Sequence, residues 1–228
     1  MNTTDTLASP TLAEDLLLVL FQPDSGTIAG ENTLFYVLGG AVLAQLGLEK
    51  RVTTEKTWTG TVDMSAVADQ APSDEILRAA WTSVQDKPRG VQTVLPAIGP
   101  TLRQPLIDRL VARGDLREEK TKTLGLFPTT VLKDGGTGRR DRLLSDIRGV
   151  LVDGVSPAPR LAALTGLLSA SGTLPQFDPL IPWNSAVYTR AEELERGDWG
   201  AAGAGEAVEG VMMAMIVNSV MIATIALR

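Results

Sequence analysis

The segment Val211–Leu227 runs for 17 residues without a charged side chain. A stretch so apolar must leave water, either by crossing a bilayer or by becoming a central helix of a folded core. It is shorter than the roughly 20 residues that span a hydrocarbon layer. Asn218, Ser219 and Thr224 interrupt it, Glu209 precedes it and Arg228 closes it. A buried central helix is the expected outcome, and a single span or membrane anchor is the competing one. A second segment, Leu34–Leu46, is apolar nearly all round and also reads as central. Its paired Gly39-Gly40 lowers helix propensity; close helix contact or a kink would each explain the pair.

Central helices need others to cover them, and the sequence supplies these. Thr11 with Glu14 three places on forms a capping box ahead of the stripe Leu12, Leu16, Leu17, Val19 and Leu20. Gln22–Gly26 ends that helix in a turn. Pro72-Ser73 opens a helix reaching about Gln85, and a short helix follows at Val91–Ile98. Thr101 and Gln104 offer a second capping box before Leu102, Leu106, Leu110 and Val111, with a stop at Gly114. Further helices are expected over about Gly138–Val152, Pro157–Ser171, Ser185–Arg196 and Glu206–Leu227, the second of them opening at Ser156-Pro157. Arg51–Met64, with Val52, Trp58, Val62 and Met64 among threonines, fits one or two short strands. A β-hairpin fits about 116–131, where Pro128 disfavours a central place in a sheet.

The expected fold is therefore mainly α: a single globular helical domain of about eight helices, over residues 11–228, with a projecting β-hairpin. A length of 228 residues suits one compact domain. Met1–Pro10 has no basic residue and no apolar run, so it reads as a short disordered lead and not as a secretory signal.

The chain contains no cysteine and no histidine. Disulfides, thiolate nucleophiles, Ser-His-Asp chemistry and the commonest metal ligands are thereby excluded. Glu14, Asp15, Asp63, Asp74 and Glu75 supply carboxylates, but in no metal-binding or glycosidase pattern. Gly135-Gly136-Thr137-Gly138 is too short for a dinucleotide fingerprint and reads as a turn. No catalytic residue, cofactor or metal is expected. The net charge of -6 argues against bulk nucleic-acid affinity, although a helix followed by a hairpin leaves a winged-helix binder as an alternative. The charge is uneven: residues 103–148 hold 11 Lys/Arg and 7 Asp/Glu. This basic segment is either a mixed solvated surface or a local anion-facing patch.

The opening Thr11-Leu-Ala-Glu-Asp-Leu-Leu-Leu-Val-Leu20 resembles the start of the Golgi phosphoprotein 3 family domain. Leu43-Ala-Gln-Leu-Gly-Leu-Glu-Lys-Arg-Val52 is similar to its Leu-x-Glu-Leu-x-Leu-x-Gly-Arg segment. Arg109-Leu-Val-Ala-Arg-Gly-Asp-Leu116 resembles its Leu-Val-x-x-Gly-x-Leu helix end, and the apolar hairpin through Phe127 follows in place. Glu195-Arg-Gly-Asp-Trp199 and the small-residue C-terminal helix resemble bacterial, actinobacterial-like members. The resemblance implies a mostly helical domain with a projecting hairpin. It implies a peripheral membrane protein that binds phosphatidylinositol 4-phosphate and acts as an adaptor for protein clients. A cytoplasmic location, reversibly associated with the inner face of the membrane, is the matching expectation.

The family pocket maps onto Gly30, Gly39, Pro100 and Arg103, of which Arg103 alone keeps phosphate-binding chemistry. The resemblance thus implies a degraded headgroup site that keeps Arg103; separately, Arg139, Arg140 and Arg142 form a basic cluster after Gly135–Gly138, from which Arg139 and Arg140 are further candidate headgroup contacts. Asp141 and Asp146 are the expected partners of that later cluster when no external anion is bound. At the hairpin, Leu124, Leu126 and Phe127 match the family's apolar tip, with Lys120 and Lys122 just before it. Shallow insertion of the tip into an anionic phospholipid surface, self-association and packing on the protein's own core are the three open readings. A soluble oligomeric scaffold is the corresponding alternative function.

Overall fold

The computed structural model describes residues 9–59, 61–123, 127–197 and 204–226, with backbone alone at 122–123, 127–129 and 204–211. Of the expected lead, residues 1–8 lie outside the described residues; Pro10 is held through its carbonyl by Arg160 at 2.8 Å. The chain begins with α1 (Leu12–Leu20), a two-stranded ribbon β1 (Phe21–Gln22) and β2 (Thr27–Ile28), and α2 (Leu34–Leu48). Next come β3 (Val52–Lys56), β4 (Val62–Ala66), α3 (Glu75–Ser83), β5 (Arg89–Gly90) and α4 (Val91–Ile98). A 3-10 turn at Gly99–Thr101 leads into α5 (Arg103–Ala112), followed by β6 (Leu116–Thr123) and β7 (Phe127–Asp134). The C-terminal part is α6 (Arg139–Leu151), α7 (Pro159–Ala170), α8 (Ser185–Glu195) and α9 (Ala204–Ile225). The result is a mainly helical domain with small antiparallel sheets, and the described residues form nine α-helices where about eight were expected.

Two capping signals illustrate what decides a helix start. At α1 the expected box forms: the Glu14 amide donates to the Thr11 hydroxyl, and the Thr11 amide donates to the Glu14 carboxylate at 2.9 Å. At α5 the expected box does not form. The 3-10 turn already occupies Gly99–Thr101, Leu102 takes the N-cap in helical conformation, and the Thr101 hydroxyl turns back to the Ile98 carbonyl at 2.9 Å. Helix α7 likewise starts two residues beyond Pro157, because extended Ala158 caps it and Pro159 takes the first turn. Asp74 caps α3, accepting from the amides of Ile76 and Leu77 at 2.9 and 3.1 Å.

Helix α2 is central, packing on α1, α7 and α9, with α3 and α4 completing its surround. Close contact explains Gly40, where a Cβ would stand 2.3 Å from Val220 Cγ2 of α9 and 3.1 Å from Leu167 Cδ2 of α7. Met213, Ile216, Val217, Val220 and Ala223 bury the inner face of α9. As far as it is described, the uncharged C-terminal run is thus a core helix, ending at Ile225. No helix among the described residues is long and apolar enough to cross a membrane. The strands expected in Arg51–Met64 are β3 and β4. A third strand, β5, is set by pairing with Asp63 and Met64, where the sequence reads as a Pro–Gly break.

Candidate functional site

The hairpin β6–β7 pairs in register from Leu116↔Asp134 to Thr123↔Phe127, so its return strand runs three residues past the expected end. Eight residues a strand make an arm roughly 27 Å long. Its root is anchored on two sides. Leu116 is buried beside α5, and the Leu132 carbonyl lies over Gly26, where a Cβ would stand 2.9 Å from that oxygen. Farther out the two strands are chiefly each other's partners, and Arg117, Glu118, Glu119 and Lys120 are exposed. Leu124 and Leu126 lie outside the described residues, and only the backbone is placed for Lys122 and Phe127.

Backbone contacts tighten the root. The Gly135 amide donates to the Asp115 carbonyl at 2.9 Å, and a Cβ on Gly135 would stand 1.7 Å from the Gly114 carbonyl oxygen. Backbone cannot yield as a flexible side chain can. Gly135→Ala should therefore lower stability by about 3 kcal/mol, at the upper end of overpacking costs, measured by urea unfolding. A loss below about 1 kcal/mol would show that the root relaxes freely.

Charges complete the clamp. The Asp115 carboxylate, 5% exposed as a residue, accepts from the Thr137 hydroxyl at 2.6 Å and from Arg139. Arg139 also donates to Asp15 of α1, whose other oxygen accepts from Arg160 of α7 at 2.5 Å. One helical position earlier, Glu14 is fully buried and accepts from Arg113 at 2.6 Å, with Arg109 at 3.8 Å. Arg109 in turn meets Asp74, the cap of α3, at 2.5 Å. Alternating charges thus link α3, α5, α1, α6, α7 and the hairpin root. Burial disfavours the Arg139 cation, but Asp15 and then Asp115 outweigh it and hold its pKa above the ordinary arginine value.

These partners correct the expected compensation of the Arg139 cluster. Asp15 and Asp115 hold Arg139, in place of Asp141 and Asp146, and its guanidinium is committed inward. Arg140 donates to the Phe21 carbonyl at 2.8 Å. Burial lowers its pKa, against the opposing charges of Asp141, Asp134 and Asp24. Arg142 is exposed, donating to the Thr137 carbonyl at 3.2 Å, and stands at the root with a free side to solvent. Arg142 was part of the basic cluster that the sequence singled out, whereas Arg117 belongs to this surface with no signal beyond the basic segment as a whole. Among the described residues no group of three or more acidic side chains could hold a metal ion.

The family model of Golgi phosphoprotein 3 (GPP34) matches residues 12–211. The chain belongs to this family. No curated protein matches it. The match covers α1 through the first turns of α9 and includes the clamped hairpin. The positions that family resemblance maps onto the headgroup pocket lie around the start of α2 and the 3-10 turn. Gly30 lines a cleft of ≈ 470 Å³ with Glu31, Thr33, Ser171 and Thr173. Gly39 packs against Leu95, and Pro100 sits in the 3-10 turn. Arg103 donates to Glu31 at 2.6 Å, both side chains about half exposed. The single retained cation of that family site is therefore paired with a carboxylate that lines the same cleft.

Proposed function

We propose that the protein is a peripheral phospholipid-binding protein that meets anionic membrane surfaces through its hairpin, with little selectivity for phosphatidylinositol 4-phosphate. The observation that carries this reading is an arm held rigidly at its root, whose connecting sequence Leu124-Gly-Leu-Phe127 is apolar and preceded by Lys120 and Lys122. Apolar side chains of such a tip enter the acyl boundary, while lysines stay among headgroups. Arg117, Lys120, Lys122 and Arg142 each add about 1 kcal/mol near an anionic surface. Arg140 adds to this field from the root, whereas Arg139 acts by holding the root. Self-association through the hairpin and capture of protein clients extend the same reading, and the inner face of the membrane is its site. No chemical step is involved.

The lack of headgroup selectivity follows from Glu31. Its carboxylate pairs with Arg103 and so occupies the one retained cation that a phosphate would need. Co-sedimentation with neutral, generic anionic and phosphatidylinositol 4-phosphate vesicles, each at low and high salt, tests both parts. The expected result is weak binding to neutral vesicles and strong binding to both anionic sets at matched charge, lost at high salt. Tight, saturable preference for phosphatidylinositol 4-phosphate contradicts the headgroup part. No binding to any vesicle favours the soluble scaffold.

A further inference from the structure

A groove lies between α8, the end of α7 and the second half of α9. Its narrower part, ≈ 250 Å³, is walled by Trp183, Tyr188, Glu192 and Glu195, with Met221 and Ile225 opposite. Tyr188, Glu192 and Glu195 follow at helical spacing and therefore share one face of α8. The rings of Trp183 and Tyr188 stand 6.0 Å apart at 86°, forming an aromatic corner. Both are large aromatics left exposed, at 43% and 50%, although apolar surface lies beside them.

The charge of this groove is only partly answered from within, by Arg196 at the end of α8 and Lys56 across its wider part. The Glu195 carboxylate accepts from the Ser169 hydroxyl at 2.5 Å, and among the described residues no cation pairs with it. Glu192 raises the pKa of the neighbouring Tyr188 hydroxyl, and its ion pair with Arg196 is long, at 4.0 Å, and exposed. Burial raises the Glu195 pKa; the Ser169 bond opposes this, the Glu192 charge adds to it and the Arg196 charge offsets part of it. A cation in the groove would relieve both the burial and the mutual repulsion of the two carboxylates.

We infer that this groove binds a small organic ammonium ion, with Glu195 and Glu192 as countercharge and the Trp183–Tyr188 corner as its wall. Ring faces attract cations through their quadrupole, most strongly for tryptophan, and methylated ammonium groups match such walls. Two carboxylates with no third acidic ligand suit an organic cation better than a bare metal ion. The narrower part is below the volume of drug-sized sites, which suits a small cation. The inference is independent of membrane binding by the hairpin. The ammonium group can belong to a free amine or to a lipid headgroup.

The test is a titration of the full chain with choline, with its uncharged carbon isostere 3,3-dimethylbutanol, and with glycerophosphocholine, followed by NMR and calorimetry. Choline should saturate and shift the Trp183 and Tyr188 signals while leaving Trp58 unmoved. The isostere should bind at least about tenfold more weakly, and Glu195→Gln should weaken choline by about tenfold with an unchanged melting curve. Choline binding alone assigns a free amine, and equal binding of glycerophosphocholine assigns a headgroup; both uphold the ammonium site. Equal affinity for the isostere overturns it, as does choline failing to shift Trp183. Should Glu195→Gln not fold, the wild-type shift pattern and the isostere comparison still decide.

Discussion

Replacing Glu14 by alanine should lower folding stability by about 3–5 kcal/mol, the cost of breaking a buried ion pair from one side. Glu14 has no exposed side-chain surface, yet it accepts from the Thr11 amide and hydroxyl at 2.9 Å and from Arg113 at 2.6 Å. Alanine removes the carboxylate from a partly buried arginine and deletes half of the capping box that starts α1. All nine residues of α1 are buried, so a poorly started α1 disturbs packing well beyond the pair. For a chain of this size each kcal/mol shifts the melting temperature by about 2–4 °C, so a fall of roughly 10–15 °C should be seen in a thermal melt. Glu14→Gln keeps the volume and the capping geometry, and should fall between alanine and wild type. Replacing Glu14 and Arg113 together by leucine should recover much of the loss, since the penalty is the stranded charge and not the missing attraction. A Glu14→Ala variant within about 1 kcal/mol of wild type would show that the network relaxes into solvent.

Replacing Leu124, Leu126 and Phe127 together by serine should abolish most vesicle binding while helical content is retained. Apolar burial contributes roughly 25 cal/mol per Å², so three partly inserted side chains add a few kcal/mol before ordering costs. The fold should survive because the hairpin is secured at Asp115, Gly135 and Arg139, and its distal strands pair chiefly with each other. Replacing Lys120 and Lys122 by glutamine should act differently, reducing binding to anionic vesicles at low salt alone. A folded triple variant that sediments like wild type would rule the tip out. If binding falls only because oligomers dissociate, the hairpin acts through avidity. A covalently fixed oligomer of the triple variant separates the two: restored binding means avidity, and persistent loss means direct insertion.

What the sequence revealed, and what it hid, follows from the range of the interactions involved. The α1 capping box is local, its two ends three positions apart, and was legible. The two central helices were legible because uncharged runs have few places to go. Strand β5 was hidden, because two residues beside a proline become a strand only when Met64 and Asp63 lie alongside. The ion network was hidden for the same reason at longer range: Glu14 meets Arg113 across 99 positions and Arg139 meets Asp15 across 124. Capping explained Glu14 without calling for Arg113. Arg139, Arg140 and Arg142 look equivalent in a row, but the turn at Gly138 and the first turn of α6 send Arg139 inward and leave Arg142 outside. The aromatic–acidic groove gave no signal, since Tyr188, Glu192 and Glu195 read in sequence as an ordinary mixed helix and Trp183 as part of the loop before it.

The central claim concerns which part of the molecule touches lipid, and the absence of native cysteine makes a direct measurement simple. Leu126→Cys and, as a reference nearer the root, Glu118→Cys can each carry a single environment-sensitive fluorophore. Emission is read on protein bound to anionic vesicles containing lipids brominated along the acyl chain, which quench only at close range. A lipid-facing hairpin gives a blue shift and strong quenching at position 126, with clearly weaker quenching at 118. An aqueous, unquenched emission at 126 on protein that is demonstrably vesicle-bound would contradict it and place the contact on another face.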